Sequence, residues 1–143
     1  MKIRKAKKQD LKEVIRIFKK EYAKPPYNEK WENRLLSKKI RDYFKGSRIA
    51  VSIIENKVVG FIIFKKVLWT GGYSGFIEEV AVDSKHQRKG VGKALIKHAE
   101  DFFRKNKIKE VSLMSNAKSK AFKIYKRLKY KKEEFCLMTR KLK

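Results

Sequence analysis

Apolar residues recur along the chain with two different periods, and the switches between them outline its elements. "KIRKA" (Lys2 to Ala6) predicts a short strand with Ile3 as its apolar contact. "QDLKEVIRIFKKEYA" follows with Leu11, Val14, Ile15, Phe18 and Tyr22 three and four apart, the spacing of one helical face. Asp10 stands where its N-cap is expected, and Pro25 and Pro26 in "KPPYNEK" break the helix. "WENRLLSKKIRDYF" carries a weaker helical pattern through Trp31, Leu35, Ile40 and Phe44.

The middle of the chain changes period. "RIAVSIIE" and "VVGFIIFKKVLW" are dense in β-branched and aromatic residues, and Asn56-Lys57 between them predicts a hairpin turn. "WTGGYS" supplies a glycine-rich turn into a third strand, "GFIEEVAVD". Val91, Leu95, Ala99, Phe102 and Phe103 then form the inward stripe of a helix. "EVSLMS" reads as a buried strand, and "KSKAFKIYKRLK" as a short helix with Ala121, Ile124, Tyr125 and Leu128 inward. "EEFCLMTRKL" predicts a closing strand. The order β-α-α-β-β-β-α-β-α-β is that of one mixed α/β (α+β) domain over residues 1–143, without linker or repeat.

Composition narrows the class. A hydrophobic fraction of 42% is ordinary globular usage and argues against disorder. No apolar run approaches the roughly 20 residues that span a bilayer, and "MKIRKAKKQD" lacks a signal peptide's apolar segment, so no membrane association is expected. A lone Cys136 precludes an internal disulfide; a soluble, cytoplasmic protein is the expectation. His86 and His98 show no metal-ligand spacing with Cys, His or acidic residues, so no metal is expected. The net charge of +25 attracts polyanions: nucleic acid, an anionic membrane or a multiply phosphorylated small molecule. Its lysines are dispersed rather than gathered into an arm, which also suits a surface kept soluble by charge. No zinc finger, RNA-recognition aromatic motif or basic zipper accompanies that charge.

The stretch with the most chemistry is Gln87-Arg88-Lys89-Gly90-Val91-Gly92-Lys93. It follows a predicted strand and opens a predicted helix, where unpaired backbone N–H groups and the positive dipole end face an anion. Two glycines let the backbone approach a phosphate, or simply make a tight turn. The segment is neither a Walker loop nor the three-glycine dinucleotide fingerprint.

Taken together, "IRKAKKQDLKEVIRIF", "FIEEVAVDSKHQRKGVGKALI" and "AFKIYKRLKYKK" resemble, in order and spacing, the opening elements, acetyl-CoA motif and tyrosine motif of the GNAT superfamily of N-acetyltransferases. The resemblance covers nearly the whole chain. It implies the acyl-CoA N-acyltransferase fold, a central, mostly antiparallel sheet with a splayed strand pair flanked by about four helices. It implies acetyl-CoA as donor and a primary amine as acceptor, by direct transfer in a ternary complex. Val80, Ala81 and Val82 then match the splayed strand along the pantetheine, and Gln87 to Lys93 the pyrophosphate loop. Tyr125 matches the tyrosine that protonates the departing thiolate; periodicity alone favours a core tyrosine on an amphipathic helix.

Glu78 and Glu79 stand where relatives often carry an acidic pair, as a base for the amine or as solvated strand carboxylates. In a regular strand Glu78 shares a face with Val80 and Val82 and is expected first as the base. Tyr22, Tyr27 and Trp31 fall on the acceptor side, as pocket lining or as helix packing. Two departures stand out. Where the family often has Asn, seven residues before the tyrosine, there is Lys118, with Asn116 close by as the remaining cofactor candidate. Where it has Gly after the last helix there is Lys129, which costs about 1 kcal/mol if left-handed. A CoA-binding sensor without catalysis, a nucleic-acid-binding protein and a homodimer stay open alternatives.

Overall fold

The computed structural model describes residues 1–142. Five strands form one sheet in the order β1 (Lys2–Lys5), β2 (Arg48–Ile54), β3 (Lys57–Trp69), β4 (Gly72–Val82) and β5 (Val111–Leu113). β1 to β4 pair antiparallel, and β5 alone runs parallel to its neighbour β4. The parallel crossover is made by α3 (Val91–Lys105), as a βαβ connection requires. α1 (Leu11–Tyr22) and α2 (Asn33–Gly46) pack with Val14, Ile17, Phe18, Leu36 and Ile40 on one sheet face, against Val51, Phe61 and Ile63. α3 and α4 (Lys120–Arg127) cover the other face, where Leu95, Ala99, Phe103 and Tyr125 meet Ile62, Phe64 and Ile77. This is the mixed α+β architecture expected from the element order, with the splayed, mostly antiparallel sheet and four helices.

Several local expectations are corrected. The β2–β3 turn is Glu55-Asn56, both with positive φ (50° and 63°), so Lys57 belongs to β3. Such a turn places left-handed residues at both central positions, which matches the twist of the strands. α2 starts at Asn33 and points Leu36 inward, leaving Leu35 45% exposed. Ile124 is likewise turned outward. Asp10 does not cap α1 with its side chain; its carboxylate accepts from the Lys7 backbone N–H (2.7 Å) and pairs with Arg4 (2.7 Å). The expected closing strand, residues 133–142, pairs with no strand among the described residues, and Phe135, Leu137, Met138 and Leu142 lie exposed.

Lys129 does adopt the left-handed conformation, φ 75°. The Tyr130 N–H reaches the Tyr125 carbonyl (3.0 Å) and the Lys129 N–H that of Lys126 (3.1 Å), the paired bonds of a Schellman motif ending α4. Lys129→Gly is therefore expected to stabilise the protein by about 1 kcal/mol. Thermal denaturation followed by circular dichroism should show Tm rising by about 2–4 °C.

Candidate active site

The site begins where β4 loses a partner. β5 pairs with β4 only through Gly75, Phe76 and Ile77, while β3 follows β4 to Val82. From Glu78 to Val82 the flank of β4 on the β5 side has no strand partner among the described residues. Val80, Ala81 and Val82 lie along this splay, half-buried. Side chains reach two of its carbonyls: the Tyr22 hydroxyl donates to Val80 (3.4 Å) and Gln87 Nε2 to Val82 (2.8 Å).

A bulge then decides the fate of the acidic pair. Ile63 lies opposite Glu79 and Phe64 opposite Ile77, so Glu78 is the extra residue on β4. That insertion breaks the regular alternation on which the preference for Glu78 depends. Glu78 accepts from Ser47 Oγ (2.6 Å) and pairs with Lys65 Nζ (2.8 Å). Glu79 instead accepts from the Tyr43 hydroxyl (2.8 Å). Burial raises the Glu79 carboxyl above its ordinary range, against the opposing pull of Tyr43, Lys39 and Tyr22.

Three tyrosines, Tyr22, Tyr43 and Tyr125, feel the charge of this carboxylate, and Tyr27 stands beside Tyr22. Burial, reinforced by the Glu79 charge, pushes the Tyr22 and Tyr43 hydroxyls far above their usual range. For Tyr125 burial leads, followed by the proximity of Tyr27 and Glu79. α1 supplies Tyr22, whose ring lies 4.4 Å from Phe18 and 5.0 Å from Tyr27. α4 supplies Tyr125, one side of whose ring faces Tyr130 at 5.9 Å. Trp31 and Tyr43 also line an open groove of about 540 Å³ with Lys39, Ser47, Lys65 and Glu78. The sequence offered Tyr22, Tyr27 and Tyr125 as candidates but no signal for Tyr43, since periodicity places a residue on a face without saying what it meets there.

The glycine loop completes the arrangement. Arg88 (φ 63°) and Gly90 (φ 81°) are both left-handed, and Gly90 is the N-cap of α3. The first α3 bond of the N-terminal turn runs from Ala94 N–H to the Gly90 carbonyl. Ahead of it, the N–H groups from Arg88 to Lys93 have no hydrogen-bond partner among the described residues. A Cβ at Gly92 would meet only Val82, at an ordinary 3.7 Å. Arg88, Lys89 and Lys93 are exposed and form no ion pair among the described residues. The loop thus gathers free amides and free cations at a helix N-terminus, an anion-binding arrangement.

Two predicted cofactor residues are used differently. The Gln87 side-chain amide bonds Glu21 (3.0 Å) as well as Val82, tying the loop to α1. Asn116 Oδ1 accepts from the Lys118 N–H (2.8 Å), and its carbonyl from Ser119 (2.7 Å), so Asn116 shapes the turn into α4. Ser115, which the sequence did not single out, has a buried Oγ without a partner among the described residues, just beyond the end of β5. His86 and His98 join no cluster of metal-ligating side chains among the described residues. No helix described is long and apolar enough to cross a membrane.

The model of the acetyltransferase (GNAT) family matches residues 11–130. Among solved structures, a possible acetyltransferase from Clostridium difficile 630 superimposes with a TM-score of 0.85 at 20% identity, covering 99% of this chain and 97% of that one. An aminoglycoside acetyltransferase from an uncultured soil metagenomic sample gives 0.75 at 23% identity, with 99% and 96% covered. The ribosomal-protein-alanine N-acetyltransferase of Brucella melitensis biovar Abortus 2308 gives 0.79 at 18% identity, with 99% and 98% covered. At these identities the likeness is one of fold. No curated protein matches the chain.

Proposed function

Because the chain belongs to the acetyltransferase (GNAT) family, whose model covers residues 11–130, we propose that it transfers the acetyl group of acetyl-CoA to a primary amine by direct transfer in a ternary complex. The observation that carries this reading is the meeting of three features along β4: the unpaired amides from Arg88 to Lys93, the open flank from Glu78 to Val82, and the buried Glu79 bound to Tyr43. These residues fit the donor. The loop amides with Arg88, Lys89 and Lys93 suit its pyrophosphate, and the strand-like flank of β4 suits its amide-bearing pantetheine arm.

Each chemical need then has a residue. The amine must lose a proton before its nitrogen attacks. An α-amine with pKa about 7.7 does so readily at pH 7, and a lysine-type amine near 10.4 costs about 4 kcal/mol more. Glu79, not Glu78, takes that proton, because Glu78 is bound to Lys65 and Ser47. A raised carboxyl pKa lies closer to that of the amine, which strengthens a general base. A backbone N–H of Val80 to Val82 stabilises the charge that develops on the carbonyl oxygen. As the C–N bond forms and the C–S bond breaks, Tyr125 gives its proton to the sulfur, and the proton shed by the new amide nitrogen restores the tyrosine. Burial, with the Glu79 charge, holds the proton on the Tyr125 oxygen until negative charge appears beside it. The groove beside Tyr43 receives the acceptor, and the net charge of +25 favours phosphate-bearing acetyl-CoA over free polycations.

Gly92→Asp tests the cradle. The fold has room for the new side chain, whereas a carboxylate at this helix end repels a pyrophosphate. Calorimetric titration with acetyl-CoA should show affinity at least about tenfold lower, or ~1.4 kcal/mol. Unchanged affinity would remove the loop from the donor site.

A further inference from the structure

We infer that the acceptor is a small amine with a carboxylate a few bonds from its nitrogen, a free amino acid, and that Lys39 selects it by binding that carboxylate. This rests on the groove beside Tyr43 being the acceptor site. The charges around that groove are unequally matched. Lys38 pairs with Asp42 (2.9 Å) and Lys65 with Glu78 (2.8 Å), so two lysines and both of the groove's carboxylates neutralise one another. Lys39 is the charged residue of the groove that has no ion-pair partner among the described residues. Half-buried, its ammonium stands over two aromatic rings, 4.9 Å from the centre of Tyr43 and 5.7 Å from that of Trp31. The Trp31 indole N–H in turn donates to Glu29 (2.6 Å), which fixes that ring. Ring faces hold a cation in place without supplying an anion, and they leave N–H groups of the ammonium free to donate.

Position matters as much as charge. Tyr43 reaches both ends of the site: Lys39 lies over its ring, and its hydroxyl donates to Glu79 (2.8 Å). The unpaired cation and the proposed base therefore stand one tyrosine ring apart. An amine at Glu79 and a carboxylate at Lys39 need only a few bonds between them, the span of an amino acid. One unpaired cation matches a singly charged anion rather than a phosphate. Polyamines and aminoglycosides meet the reverse of what they need, because the groove's carboxylates are already paired and its unmatched charge is positive.

Free thiol released from acetyl-CoA tests this with a panel of amino acids, the carboxamide of each, spermidine, an aminoglycoside and phosphoethanolamine. At least one amino acid should exceed its carboxamide in kcat/KM by about 10–100-fold, the range of a hydrogen bond to a charged group. The carboxamide's nitrogen, lacking a neighbouring negative charge, loses its proton more readily, so the preference cannot come from deprotonation. Lys39→Met keeps an apolar stem against both rings and removes the charge. It should abolish the preference, chiefly by raising KM for the amino acid, while acetyl-CoA still raises Tm. Any change at Glu79, whose carboxyl feels the Lys39 charge, falls on both acceptors and cancels in their ratio. Lys39→Arg, which keeps the charge, should retain a preference. Equal use of acid and carboxamide overturns the inference, as does a preferred polyamine, aminoglycoside or phosphoethanolamine, and each leaves acetyl transfer standing. So does a Lys39→Met variant with the wild-type ratio. No thiol with any amino acid overturns it as well; acetyl transfer itself falls only when every amine fails and acetyl-CoA leaves Tm unchanged.

Discussion

Glu79→Gln should lower turnover by about 10²–10⁴-fold while leaving acetyl-CoA affinity close to that of the wild type. Glutamine keeps the size of the side chain and can still accept from Tyr43 (2.8 Å in the wild type), so the site stays assembled while the base is lost. The pH profile separates this from a structural defect. Burial raises the Glu79 pKa, and the carboxylate is the working form. Wild-type kcat/KM should therefore fall as pH drops through that raised pKa, at a higher pH than for an ordinary glutamate. In the variant that acid limb should vanish. Glu78→Gln gives the comparison: it loosens Ser47 and Lys65 at the groove and should cost much less turnover. A larger loss from Glu78→Gln would transfer the role of base to Glu78.

Tyr125→Phe should reduce turnover by about 10²-fold or more, again with little change in acetyl-CoA affinity. The ring is buried and packs against Tyr130, and phenylalanine preserves both features. No protein hydrogen bond holds the hydroxyl among the described residues, so its removal leaves no orphaned partner. Tm should accordingly stay near the wild-type value while the rate collapses. Steady-state kinetics beside a thermal melt checks this, and a wild-type rate in a folded variant would end the tyrosine's role as acid.

What was legible in the sequence follows from the range of each interaction. The α1 stripe, the strand-rich centre and the helix-opening glycines are local signals, and they appear in the structure where periodicity put them, apart from shifts in phase such as Leu36 for Leu35. Lys129 shows a family position surviving a changed residue, because the backbone bonds of the Schellman motif hold it left-handed. The bulge at Glu78 was not recoverable, since two identical side chains side by side carry no mark of the register shift that separates them. Nor was the tyrosine cluster. Tyr22, Tyr43 and Tyr125 come from α1, α2 and α4, and only packing of both helical layers on the sheet brings them within reach of the Glu79 charge. The last segment reads as a strand by composition, but composition supplies only propensity, and residues 133–142 make no ladder bonds among the described residues.

Release of free thiol from acetyl-CoA in the presence of an amine panel is the most direct test of the central claim. Peptides with free N-termini, lysine-type amines and aminoglycosides should all be included. The account predicts that thiol appears only when protein and a suitable amine are both present, that acetyl-CoA alone raises Tm, and that Tyr125→Phe keeps the Tm rise while losing most of the thiol. Absence of thiol with every amine, together with no Tm response to millimolar acetyl-CoA, would contradict it.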